Sequence, residues 1–188
     1  MNKKSSSHLA LRALCEGAIF VALAQILGYI KLARLANGGS ITLIMLPIFV
    51  YCSRWGFAKG MLAAFALSVL QLFDGGGFSI GWQSILGDYI LAYSALGLAG
   101  LFHNLRYGYF WGTIVGSLAR FLVHYVTGAT LWGIYMPDRF LGMKMTSPWI
   151  YSALYNGSYM LPCMLVCLVV GVAYWTPLQR YLTGKDIR

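Results

Sequence analysis

Acidic side chains are nearly missing from this sequence. Glu16, Asp74, Asp88, Asp138 and Asp186 are the five among 188 residues, and charged residues of both signs make up only 10%. A soluble domain carries about 25% charged residues to face water. This chain is 59% hydrophobic with a mean hydropathy of +0.68, which excludes an ordinary soluble domain. What remains is an all-α integral membrane protein forming one compact transmembrane domain over 1–188. The fourteen lysines and arginines leave a net charge of +9. They stand in short clusters between apolar runs, a pattern of topology signals rather than a nucleic-acid footprint, so no nucleic-acid partner is expected.

Other absences narrow the function. The four cysteines, Cys15, Cys52, Cys163 and Cys167, lie in apolar runs with no C-x-x-C pair. They read as small packing residues rather than disulfide or metal ligands. No zinc spacing, Walker loop or nucleophile–base–orienter set stands out, so no catalytic residue, metal or cofactor is assigned. There is no nucleotide-binding domain, so uphill transport would draw on an ATPase partner. No solenoid repeat is visible.

Six apolar stretches are present. The first, about 9–30, follows Lys3 and Lys4 and contains Arg12 and Glu16. With no small-x-small cleavage site after it, it reads as a membrane helix rather than a signal peptide. The others are about 41–53 (short, with Pro47), 57–73, 82–102, 109–127 and 149–175, where Pro162 predicts a kink. Turn signals stand at Asn37-Gly38-Gly39-Ser40 and Asp74-Gly75-Gly76-Gly77, and the longest loop is 128–147. Six spans put both termini on one side. That side collects nine basic residues (Lys3, Lys4, Arg12, Arg54, Lys59, Arg106, Arg180, Lys185 and Arg188), against four on the other, Lys31, Arg34, Arg139 and Lys144. The positive-inside rule then predicts cytoplasmic termini.

Asp88 lies inside the fourth span, where an acid is expensive unless something pairs with it. Arg120 and His124, four apart on one face of the fifth span, fall at a similar depth because the two helices run antiparallel. The sixth span adds Tyr151, Tyr155, Asn156 and Tyr159, and the outer loop adds Trp132 and Tyr135. Two readings of the residues stand side by side: an Asp88–Arg120 helix clamp in a structural subunit, and a pocket for a small, flat, partly cationic heteroaromatic ligand. An intramembrane enzyme using Asp88 and His124 as acid and base is a third. Ala18 and Ala22, four apart on the first span, allow close approach of another helix.

Taken together, these stretches resemble the substrate-binding S components of the energy-coupling factor (ECF) vitamin transporters, most of all the thiamine-specific ones. The resemblance rests on the segment from Leu14 to Ala24, on Gly87-Asp88-Tyr89 and the run to Gly100, on Arg120 to Trp132, and on Tyr151 to Pro162. It implies a six-helix bundle in the prokaryotic plasma membrane that captures thiamine from outside. Asp88 and Tyr89 would meet the aminopyrimidine, and His124 and Trp132 would stack on the thiazolium. Arg120 would reach the hydroxyethyl end, with Tyr151 and Asn156 lining the wall. Ala18 and Ala22 would dock the transmembrane coupling subunit of a complex with two ATPases. The family usually has glutamate where this chain has Asp88 and lysine where it has Arg120. The tryptophan of the family's first outer loop has no counterpart in 31–40. Those departures motivate an alternative, the same architecture serving another vitamin or a thiamine precursor.

Overall fold

The computed structural model describes residues 3–35, 39–75 and 79–187. Asn37 and Gly38 of the first turn signal and Gly76 and Gly77 of the second lie outside the described residues. Among those described, six helices carry the architecture: α1 (Lys3–Tyr29), α2 (Met45–Trp55), α3 (Phe57–Gly75), α4 (Trp82–Phe102), α5 (Gly108–Thr130) and α6 (Pro148–Leu182). Four of them, α1, α3, α4 and α6, contain stretches long and apolar enough to cross a membrane.

The remaining two helices are the informative ones. α2 has 11 residues, about 16 Å of helix, too short to span a bilayer. It is surrounded by protein instead: Met45, Ile48, Phe49, Tyr51 and Cys52 are buried, and its ends need not meet lipid. Pro47 sits in its first turn, where a missing N–H costs nothing. Gly56, at φ +80, turns the chain from α2 into α3. α5 has the length to span but carries Arg120 and His124, which lower its apolar character.

α1 packs by an inner face of Ala13, Gly17, Val21 and Ala24, with the Tyr51 hydroxyl donating to the Ala13 carbonyl at 2.8 Å. Ala18 and Ala22 point the other way and are exposed. Glycines let α4 approach its neighbours: a side-chain carbon at Gly97 would come within 2.6 Å of the Met61 backbone, and one at Gly112 within 2.6 Å of the Ala99 carbonyl. α6 runs unbroken through Pro162 and Pro177 to Leu182, seven residues beyond the expected limit near 175. Two segments expected as loops contain short hairpins, Ala33–Arg34 with Ser40–Ile41 (β1–β2) and Arg139–Phe140 with Met143–Lys144 (β3–β4). Leu141 and Gly142, both at positive φ, make the second turn.

α4 is not a regular helix. It is π-helical over Ile85–Leu91 and 3₁₀-helical over Ala95–Phe102. A π segment adds a residue to the turn and re-aims side chains, and it is frequent at functional sites. Asp88 is in the middle of it.

At the opposite end of the bundle the Arg54 side chain is fully buried. Glu16 takes its Nε at 2.6 Å and Nη2 at 3.0 Å, and Asp186 takes Nη1 at 2.5 Å and Nη2 at 2.8 Å. The Tyr181 ring lies 3.7 Å from the guanidinium carbon, and the Tyr181 carbonyl accepts from Nη1. Arg12 reaches both carboxylates, and the Trp55 indole donates to Glu16. α1, α2 and the segment after α6 are thereby clasped around one cation.

The Arg54 guanidinium beside Asp186 holds that carboxyl down to about 2. A carboxyl depressed in the folded state contributes stability that is present above its ordinary value and lost as pH falls through the folded one. The expected outcome is a loss of melting temperature between about pH 4 and pH 2, smaller in Asp186→Asn. Arg54→Met, which takes the buried cation from Glu16 and Asp186 and leaves them with Arg12 and the Trp55 indole, should cost about 3 kcal/mol. Thermal unfolding of detergent-purified protein across that pH range checks both.

Candidate functional site

A cavity of about 750 Å³ opens at the end of the bundle where α4 starts and α5 ends. That is within the range of small-molecule pockets, about 300–1,000 Å³. Its wall contains Asp88 and Tyr89 from α4, His124 and Gly128 from α5, Trp132, Tyr135 and Pro137 from the following turn, and Tyr151, Ser152, Tyr155, Asn156 and Tyr159 from α6. Lys31, just past α1, stands at the same wall.

Asp88 is the polar centre. His124 Nδ1 lies 3.1 Å and the Thr127 hydroxyl 2.5 Å from Oδ1, and Trp132 Nε1 lies 2.7 Å from Oδ2. A carboxylate only accepts, so His124 carries its proton on Nδ1 in this pairing. Three donors, from α5 and the turn beyond it, replace the water that an acid at this position would otherwise need.

Arg120 is not among the partners of Asp88, contrary to the clamp reading, and it does not reach the cavity wall. It lies one turn deeper in α5, buried, with its guanidinium carbon 4.1 Å from the Tyr93 ring centroid. Its Nε has no hydrogen-bond partner among the described residues. Helix geometry put Arg120 and His124 on one face, but a rise of about 6 Å separates residues four apart. The nearer group, His124, takes the acid. Arg120 therefore stands behind the site, its charge against an aromatic face.

Asn156 is at the wall but its polar ends are occupied. Its amide donates to the His124 carbonyl at 3.2 Å and to the Ser152 carbonyl at 3.0 Å, and its oxygen accepts from the Tyr159 hydroxyl at 2.8 Å. Ser152 donates to the Tyr125 carbonyl at 2.8 Å. These bonds tie α6 to the stretch of α5 that carries His124, and Gly128 leaves room for them: a side-chain carbon there would overlap Ser152 Oγ.

The rest of the wall is aromatic. Tyr151 and Tyr155 stack at 5.7 Å, Tyr155 meets Tyr159 edge-on at 5.7 Å, and Phe140 of β3 caps Tyr151 at 5.4 Å. Trp132 and Tyr135 are 6.0 Å apart. The β1–β2 hairpin lies on this wall through Gly39, where a side-chain carbon would come within 2.7 Å of Tyr159. One carboxylate among π faces is a site for a flat ligand with a donor group and positive charge.

Sequence reasoning missed Thr127, Ser152, Gly128 and Lys31. Thr127 was the most accessible of these, three residues after His124 on the same face. Ser152, four before Asn156, passes for a packing residue until the helices are placed together.

A helical membrane bundle with a carboxylate-centred aromatic cavity at one end belongs to the class of small-molecule-binding membrane proteins. The model of the family described as "Thiamine transporter protein" matches residues 14–181. Thiamine transporter ThiT of Bacillus subtilis (strain 168) is 31% identical over 172 residues, covering 84% of this chain and 86% of that one. Thiamine transporter ThiT of Lacticaseibacillus paracasei is 31% identical over 197 residues, covering 95% and 94%. A solved structure of ThiT from Listeria monocytogenes superposes with a TM-score of 0.80 at 25% identity, over 92% of this chain and 98% of that one. The chain belongs to the thiamine transporter family, a family of multi-pass cell-membrane transport proteins rather than enzymes.

The Asn156 bonds make a direct prediction. Asn156→Ala removes the donor to the His124 carbonyl of α5 and the donor to the Ser152 carbonyl of α6, strands the Tyr159 hydroxyl, and should destabilise the fold by about 1–3 kcal/mol. Thermal unfolding in detergent measures this. An unchanged melting temperature would mean the Asn156 bonds contribute nothing.

Proposed function

We propose that this protein is the substrate-capture subunit of an ECF-type importer and binds thiamine from the extracellular side. The observation that carries this reading is the Asp88 carboxylate, held by three donors at the wall of an aromatic cavity. The relatives named as thiamine transporters support it. Thiamine has an amine-bearing pyrimidine and a cationic thiazolium. Asp88 accepts from the amine, with Tyr89 beside it. His124 and Trp132 face the thiazolium, where a cation over an aromatic ring gains about 0.5–2 kcal/mol. Tyr151 and Tyr155 close the opposite wall. Arg120, behind His124, supplies no direct contact in this arrangement, and Asn156 acts by holding His124 in place.

The exposed Ala18 and Ala22 are the proposed seat of the transmembrane coupling subunit, through which two ATPases would act. Cytoplasmic termini follow from the nine-to-four distribution of basic residues and put the cavity on the outside. A second reading, capture of another vitamin or a thiamine precursor, is favoured by one observation: a carboxylate one methylene shorter than the family's usual glutamate.

Titration of detergent-purified protein with thiamine tests the main reading. Saturable binding is expected, with Asp88→Asn weaker by about tenfold or more; no saturation at micromolar thiamine overturns it, and a competition panel of thiamine fragments decides the second reading. Ala22→Leu should leave binding intact while abolishing thiamine uptake in cells. A cysteine at Lys185 should be labelled by a membrane-impermeant reagent only after the cells are opened, and one at Lys144 before.

A further inference from the structure

Thr127 donates one proton and has three acceptors in reach. Its Oγ1 is 2.5 Å from Asp88 Oδ1, 3.1 Å from the Val123 carbonyl and 3.3 Å from the His124 carbonyl. A helical threonine ordinarily bonds back to the carbonyl one turn before it. Here the carboxylate is both the nearest acceptor and, being ionised, the strongest. The methyl group fixes the approach: it lies where a side chain at Gly87 would be, so only glycine beside Asp88 lets α4 come this close. The π-helical turn of α4 then presents Asp88 to it.

The two oxygens of Asp88 are therefore not equivalent. Oδ1 takes two donors from α5, His124 Nδ1 and Thr127 Oγ1, which fill its two lone pairs. Among the described residues Oδ2 takes only the Trp132 indole, from the turn after α5, which leaves a lone pair at the cavity wall. A carboxylate without the Thr127 bond is held at Oδ1 by one group, and rotation about its stem lets either oxygen face the ligand.

We infer that Thr127 is the positioning residue of the recognition acid. It pins Oδ1 so that Oδ2 alone meets the ligand's ring amine, and it sets the site for a carboxylate on a one-carbon stem. Selectivity for an amine donor over an oxygen at the same ring position comes from this pinning. The inference rests on the thiamine reading above.

The test measures binding of thiamine and of oxythiamine, in which the ring amine is an oxygen, to detergent-purified wild type, Thr127→Val, Thr127→Ser and Thr127→Ala. Thr127→Val keeps the shape and removes the donor. It should weaken thiamine about tenfold, leave oxythiamine within about twofold, and so lower the thiamine preference by nearly the same factor. Thr127→Ser should restore thiamine affinity to within about threefold of wild type. Thr127→Ala, which frees the methyl site as well, should lose the preference too and serves if the valine variant does not fold. A purely structural residue would weaken both ligands equally. An unchanged preference in both Thr127→Val and Thr127→Ala, or a serine variant as weak as the valine one, overturns the inference while leaving the thiamine reading intact. A wild type that binds neither compound overturns both.

Discussion

The constraint on which the site depends is the cost of one carboxylate in a membrane. Asp88 cannot stay ionised among apolar side chains unless donors surround it. His124, Thr127 and Trp132 supply them. To do so, α5 must lie against α4 closely enough for a threonine methyl to occupy the side-chain space of Gly87, and the turn after α5 must fold back over the end of the bundle. The π-helical stretch in α4 and the Ser152 and Asn156 bonds to α5 carbonyls all serve that one juxtaposition. The cavity is what remains between this polar centre and the tyrosine face of α6.

The other end of the bundle solves a mirror-image problem. There a cation, Arg54, is buried, and two carboxylates from distant parts of the chain close on it. Both carboxylates are bidentate and the net charge with Arg12 is zero, so the cluster is a fastening. At Asp88 the donors are an imidazole, a hydroxyl and an indole, and among the described residues no lysine or arginine pairs with the acid. That difference separates a structural charge cluster from the proposed recognition acid: one meets cations within the protein, the other meets no lysine or arginine among the described residues.

Much of the helical layout was legible because the bilayer imposes lengths. Apolar runs near 20 residues, separated by glycine-rich turns, mark helices whatever their neighbours. The short α2 was also visible, as a run with Pro47 too brief to span. Three features were not legible. α6 continues to Leu182 through Pro177 because tertiary contacts, including Tyr181 on Arg54, hold residues whose local preferences would end the helix. The two hairpins are only two residue pairs each, too short for a periodicity to show. The π and 3₁₀ stretches of α4 answer to packing against α3 and α5 and have no local sequence signal.

For the site, the sequence by itself determined which side chains are out of place: Asp88, Arg120, His124 and Asn156 are polar groups in apolar runs, and an unpaired polar group in hydrocarbon must find a partner. It could not determine which partner. Helical periodicity states who shares a face, while pairing depends on depth, rotamer and the approach of a second helix. Only the tertiary structure decided that Asp88 belongs to His124, Thr127 and Trp132, that Arg120 faces the Tyr93 ring, and that Asn156 bridges the His124 carbonyl of α5 to α6. These outcomes turn on ångström-scale distances between segments 27 or more residues apart, which no local pattern encodes.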